Sequence, residues 1–153
     1  TTNQIIAKYG EPNVTGEGYL ETLILPYPMR VAWDTDHKVE RIRCHKLVVP
    51  NMTNIFDEIL AAYGYDKIVE LGIDLYGGMF NYRKKIGGSV LSTHSWGIAI
   101  DLDPANNQLR WDRHKAKFAK PEYKPLLEAF YKNGFINLGV EKNYDWMHFE
   151  IKS

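Results

Sequence analysis

Cysteine is nearly absent from this sequence: Cys44 is the sole thiol in 153 residues. One thiol excludes an internal disulfide framework and a thiolate metal cluster. Long apolar runs are missing too, so no segment reaches the length that spans a bilayer. No signal peptide is legible ahead of the domain, although a chain beginning at Thr1 leaves room for a trimmed leader. Charge of one sign is also lacking, because 19 basic residues balance 19 acidic ones. With neither a basic patch nor a basic tail, a nucleic acid or an anionic membrane surface is not the expected partner. Repeats, low-complexity tracts and linkers are absent. The length suits one domain with a proper core.

What is present reads as alternating strands and helices without regular βαβ order, which predicts an α+β fold. Asn3 to Tyr9 suits a short helix closed by Gly10. Met29, Val31 and Trp33 alternate with polar or small residues, as do Ile42 and Cys44, which predicts a hairpin turning at Asp34 to Lys38. Asn51 offers an N-cap to a helix in which Met52, Ile55, Phe56, Ile59, Leu60 and Tyr63 share one face, and Gly64 supplies the stop. A second helical stretch covers Asp66 to Leu71. The pairs Gly77-Gly78 and Gly87-Gly88 suit tight turns, and no G-K-[ST] follows them to make a phosphate cradle. Residues 104–120 read as a polar excursion. A helix from Glu122 to Asn133 and a strand from Met147 to Ile151 close the chain. The expectation is one domain, 1–153, in which residues 1–49 form an N-terminal extension with a hairpin and 50–153 the core.

The run STHSWGIAIDLD, Ser92 to Asp103, combines a strand pattern with polar groups that are costly to bury. Ile98, Ile100 and Leu102 fall on one face of a period-two strand, and Gly97, Ala99, Asp101 and Asp103 on the other. One face belongs in a core, and the other leaves space beside Asp101. The last strand repeats this pattern, with Met147, Phe149 and Ile151 opposite His148 and Glu150, and Asp145 three residues before His148. His94, Asp101 and His148 make a plausible three-ligand set for Zn²⁺, which in catalytic sites keeps a fourth position for water. Zinc lowers the pKa of that water from about 15.7 to near 7, and Asp145 could take its proton and pass it to a leaving amine.

Simpler roles suit the other candidates. His37, His45 and His114 read as structural. Cys44 and His45 point apart on a strand, which argues against a Cys-His nucleophile. Asp103 suits a turn cap, and Glu150 either orients a ligand or faces solvent. A 2-His-1-carboxylate set also holds iron(II) in oxygenases. Those usually space His and carboxylate two apart, so the seven-residue gap from His94 to Asp101 favours zinc.

The pattern Ser92-x-His94-x-x-Gly97-x-Ala99-x-Asp101, with Asp145-x-x-His148 near the C-terminus, resembles the zinc D-alanyl-D-alanine peptidases. That family includes D,D-carboxypeptidases, D,D-dipeptidases and the L-alanyl-D-glutamate endopeptidases of phage endolysins. The Tyr82-Arg83 pair looks like the family's upstream tyrosine-arginine element, and the resemblance spans roughly residues 50–151. It implies His94, Asp101 and His148 as zinc ligands, Asp145 as general base and Arg83 as the group that polarises the scissile carbonyl. It further implies Ser92, Tyr82 and Trp146 at the substrate, Ser92 alternatively holding the His94 loop. The implied fold is that of Hedgehog signalling domains and DD-peptidases: an antiparallel sheet with helices on one side and zinc at the floor of a cleft. The implied reaction is attack of zinc-bound hydroxide on an amide next to a D-amino acid in a peptidoglycan stem peptide. The expectation favours a monomeric, phage-type endopeptidase, made in the bacterial cytoplasm or exported, and acting on the cell wall. A D-alanyl-D-alanine carboxypeptidase is the alternative within the class, and a non-catalytic zinc-bearing binding module the alternative outside it.

Overall fold

The six strands of the protein form one mixed sheet in the order β2-β1-β3-β4-β6-β5, seen in a computed structural model that describes residues 1–153. Helix α1 (Thr2–Tyr9) starts at a capping box, in which the Thr1 hydroxyl accepts from the Gln4 amide and the Gln4 side chain reaches back to Thr1. Strands β1 (Leu20–Val31) and β2 (Asp34–His45) pair antiparallel. Leu23, Leu25, Tyr27, Met29 and Val31 alternate inward along β1, facing Ile42 and Cys44 of β2. The hairpin turns at Ala32-Trp33, so the expected turn, Asp34 to Lys38, belongs to β2. Polarity misled there, because this end of the hairpin stands in solvent and its strand residues need no apolar face.

Helix α2 (Val49–Tyr63) buries Met52, Ile55, Phe56 and Ile59 and stops at Gly64. Its first turn contains Pro50, whose missing N–H costs nothing there. Asn51 is therefore inside the helix and not its cap; its side-chain amide donates to the Asn133 carbonyl at 2.9 Å and ties α2 to the end of the later helix Lys124–Lys132. A short α3 (Tyr65–Glu70) leads to β3 (Leu75–Gly78), which runs parallel to β1. The sheet is thus not purely antiparallel as expected. An almost fully buried Asp74 locks this crossover: it accepts from Arg30 Nε at 2.7 Å and Nη2 at 2.8 Å, a bidentate pair. Gly77 lies in a strand and not a turn. A Cβ there would sit 3.0 Å from the Asp101 carbonyl oxygen, so the close approach of β3 to β4 needs glycine.

Strand β4 (Ala99–Leu102) pairs antiparallel with β3 and with β6 (His148–Ile151), and β6 pairs with β5 (Phe135–Asn137). Between β4 and β5 lie residues 103–123 and helix α4 (Lys124–Lys132), and a one-turn α5 (Leu138–Lys142) follows β5. Residues 104–120 are not merely a polar excursion. Phe118 and Ala116 enter the core, and Asp103, in the left-handed region, accepts from Lys117 Nζ at 2.9 Å and from Asn106. One buried apolar cluster runs from Tyr9 to Ile151. Phe130 of α4 stacks on Phe149 at 4.0 Å between ring centroids, and Phe56 of α2 meets Tyr27 of β1 edge-on. The helices therefore cover the face that carries Ile100 and Phe149, leaving Asp101 and His148 on the other.

Candidate metal centre

Register brings two of the expected ligands together: Asp101 on β4 stands directly opposite His148 on β6. His94 comes from a 3-10 turn, Thr93–Trp96, that precedes β4. The Ser92 hydroxyl accepts from the His94 amide at the start of that turn. Gly97 ends it with φ +70°, and a Cβ there would lie 2.9 Å from the His45 amide nitrogen. Residues from the N-terminal third hold the turn in place. Tyr19 donates its hydroxyl to the Ser95 carbonyl at 2.9 Å, the His45 amide donates to the Gly97 carbonyl, and the Trp96 indole donates to the Gly10 carbonyl. The segment 1–49 thus buttresses the loop that carries His94.

The three side chains converge. One ligand atom from each of His94, Asp101 and His148 can be chosen so that all lie within 4.8 Å of one another. His94 Nδ1 lies 2.8 Å from the Met79 carbonyl, which makes it the protonated nitrogen and leaves the Nε2 lone pair free. Nε2 is buried and 3.2 Å from Asp101 Oδ2, yet has no hydrogen-bond partner. An acceptor nitrogen facing a carboxylate oxygen in a buried site is a mismatch that a cation between them resolves. His148 Nδ1 lies 3.1 Å from Asp101 Oδ1, and its Nε2 lies 2.8 Å from Glu150 Oε1. The residues therefore fit a divalent cation held by His94 Nε2, Asp101 and His148 Nδ1, with Met79 and Glu150 fixing the two rings from behind.

The electrostatics agree. Burial opposes charge on Asp101, but the hydrogen bond to His148 and the two facing imidazoles outweigh it and hold the carboxyl well below its usual range. Burial likewise works against a charged His148, yet the facing Asp101 and Glu150 push its pKa up to about 10. Surroundings this negative favour a metal cation as they favour a proton. Asp145 differs: burial raises its pKa. It occupies the left-handed region at φ +60°, its amide donates to the Leu109 carbonyl, and its own carbonyl accepts from the His148 amide. An aspartate held in that conformation beside the ligands carries about 1–3 kcal/mol of backbone strain, which persists only where neighbours over-determine it.

A cleft of about 620 Å³ opens above these groups. Asp101, Asp145, His148, Arg83 and Ser92 line it. Arg83 is set by its backbone, since its amide donates to the Ser95 hydroxyl and its carbonyl accepts from Ser95 Oγ and the Ser92 amide. Tyr82 and Trp146, expected at the substrate, do not line the cleft. Tyr82 is on the surface, and Trp146 is buried against Gly139. Trp146 reads as core because the chain must pack β6 against α5, a demand no local pattern reveals. Cys44 is fully buried and its thiol is pushed up to about 12, while the His45 ring is engaged by the Tyr9 carbonyl and the Leu47 amide. Neither is a nucleophile.

The sequence reading left Glu150 undecided and missed Met79 and Ser95. Met79 acts through its carbonyl, which has no sequence signature. Ser95 and Glu150 lie beside ligands, one residue after His94 and two after His148, the one local hint they offer. Because Glu150 orients His148, replacing it with alanine is expected to weaken metal binding about 10–100-fold. Competition with a chromophoric chelator measures this directly, and an unchanged affinity would show Glu150 to be a bystander.

Two imidazoles and a carboxylate around one cation position, a half-buried acid beside them and an arginine in the same cleft suit a metallopeptidase. Residues 86–151 match the family model described as D-alanyl-D-alanine carboxypeptidase. The matched stretch covers fewer than half of the residues but contains His94, Asp101, Asp145 and His148; Arg83 lies just outside it. No curated protein and no solved structure matches the chain.

Proposed function

We propose that this protein is a zinc peptidase that hydrolyses an amide next to a D-amino acid in peptidoglycan stem peptides, as an L-alanyl-D-glutamate endopeptidase of the phage-lysis type. The observation that carries it is the buried His94 Nε2, without a hydrogen-bond partner and turned toward Asp101 beside His148. The family match supports peptidoglycan as substrate. Asp, where many relatives have Glu, at position 145 supports the endolysin-like branch over the carboxypeptidases. The α+β architecture, with helices on one face and the triad on the other, supports the Hedgehog and DD-peptidase fold.

Zinc, when bound, supplies Lewis acidity and a water acidic enough to lose its proton near neutral pH. Asp145 then has the central task for the chain: it accepts that proton and returns it to the departing amine as the C–N bond breaks. Arg83, in the same cleft, donates to the carbonyl oxygen as negative charge grows there. Ser92 keeps His94 oriented through its cap on the turn.

Digestion of purified sacculi tests the reading. New L-alanine carboxyl ends, lost on chelation and restored by zinc, are the expected result. Release of free D-alanine would instead establish the carboxypeptidase. Intact sacculi under metal-replete conditions would overturn both and leave a zinc-bearing binding module.

A further inference from the structure

The cleft is more cationic than the reaction requires. Arg83, Lys85, Arg110 and Lys142 all line it, and none forms an ion pair with a carboxylate of the chain. The chain as a whole is neutral, so this concentration is local. Two of the four have work already. Arg83 serves the scissile carbonyl in the reaction proposed above, and Lys85 lies close enough to Glu150 to help hold that carboxylate ionised. Arg110 and Lys142 have none.

These two come from segments stitched together at the wall next to Asp145. The Asp145 amide donates to the Leu109 carbonyl at 2.8 Å, and the Arg113 amide donates to Asn143 Oδ1 at 2.8 Å. Arg110 thus sits on the loop and Lys142 at the end of α5, joined by bonds on both sides. Neither Asp112 nor Glu141, the acids next to them in sequence, forms an ion pair with them. Asp112 accepts from the His114 amide, and Glu141 accepts from the Tyr131 hydroxyl. Opposing acids in the cleft are Asp101, Asp145 and Glu150, and a divalent cation in the triad would leave the cavity distinctly positive. Such a cleft focuses field on an anionic ligand.

We propose that Arg110 and Lys142 form a carboxylate subsite that selects stem peptides carrying a free acid group beside the scissile bond. This rests on the peptidase reading and adds the charge of the substrate to it. Two sources share the chemistry: the glutamyl carboxylate left outside the peptide chain, and a C-terminal carboxylate. Arginine favours either through paired N–H donors, and lysine adds a point charge.

The test uses short stem peptides in three forms: both carboxylates free, the glutamyl group amidated, or the C-terminus amidated. Binding to the zinc-loaded Asp145→Asn protein is read by calorimetry, with and without the pair Arg110→Gln and Lys142→Gln. Both side chains are exposed, so the substitutions spare the fold. The double change is expected to weaken the free peptide about tenfold, the scale of a charge-assisted contact in a partly screened cleft, while sparing the form whose amidation removes the recognised group. Whichever amidation erases the difference identifies the source. Equal weakening of all three forms, no weakening of any, or no binding by any would overturn the subsite. If sacculi stay intact yet the carboxylate preference follows Arg110 and Lys142, the hydrolytic reading falls and the subsite stands. If sacculi are digested without that preference, the reverse holds.

Discussion

Asp145→Asn is expected to lower the rate of stem-peptide hydrolysis about 10²–10⁴-fold, the usual contribution of a positioned acid–base group, while leaving metal content unchanged. Asparagine is the right probe for a structural reason. Position 145 has φ +60°, a conformation that asparagine and aspartate adopt several-fold more readily than other side-chain-bearing residues. The asparagine variant would therefore keep the backbone bonds to Leu109 and His148, whereas alanine would add strain and blur the comparison. Asparagine preserves shape while removing the carboxylate's charge and its ability to take a proton. Elemental analysis shows whether the metal stays, and fragment release from sacculi shows whether turnover goes. A variant that retains wild-type turnover would remove Asp145 from the chemistry.

Phe130→Ala is expected to destabilise the fold by about 3–5 kcal/mol, the range for truncating a buried aromatic. The ring is fully buried, stacks on Phe149 at 4.0 Å and meets Phe135 edge-on, so it joins α4 to β6 and β5. Thermal unfolding followed by circular dichroism should show a midpoint lowered by roughly 6–20 °C, given about 2–4 °C per kcal/mol for a chain of this size. Phe130→Leu should recover most of the loss, because it restores volume without the stacked ring. Equal losses in the two variants would mean that the aromatic contact, and not the filled space, carries the stability. The consequence reaches the site, since Phe149 is the neighbour of His148 on the strand it packs.

Much of the site was legible because its residues sit in strands whose two faces differ so sharply. Ile98, Ile100 and Leu102 announce a core face, and the residues between them are then placed on the other side by geometry alone. The same holds for His148 and Glu150 against Phe149 and Ile151. The helices of the core announced themselves similarly, α2 through Met52, Ile55, Phe56 and Ile59, although Pro50 moved its start and freed Asn51 for a tertiary bond. The parallel pairing of β3 with β1 was hidden, because its lock, Asp74 to Arg30, joins residues 44 positions apart. Trp146 was misplaced for a related reason: an aromatic beside a motif looks like a substrate contact until the packing partner, Gly139, is known.

The sequence by itself determined which faces are apolar, where helices can stop, and which few side chains have the chemistry to hold a cation and move a proton. Those are properties of neighbours a few positions apart, governed by the strand and helix repeats of about 2 and 3.6 residues. Only the tertiary structure decided that Asp101 faces His148 across β4 and β6, that Met79 and Glu150 orient the rings, and that residues 1–49 clamp the His94 turn. It also gathered Arg110 and Lys142 at one wall of the cleft. Hydrogen bonds to backbone carbonyls and contacts between distant segments leave no periodic trace in a chain, because any residue type can supply the carbonyl and the fold alone sets the distance.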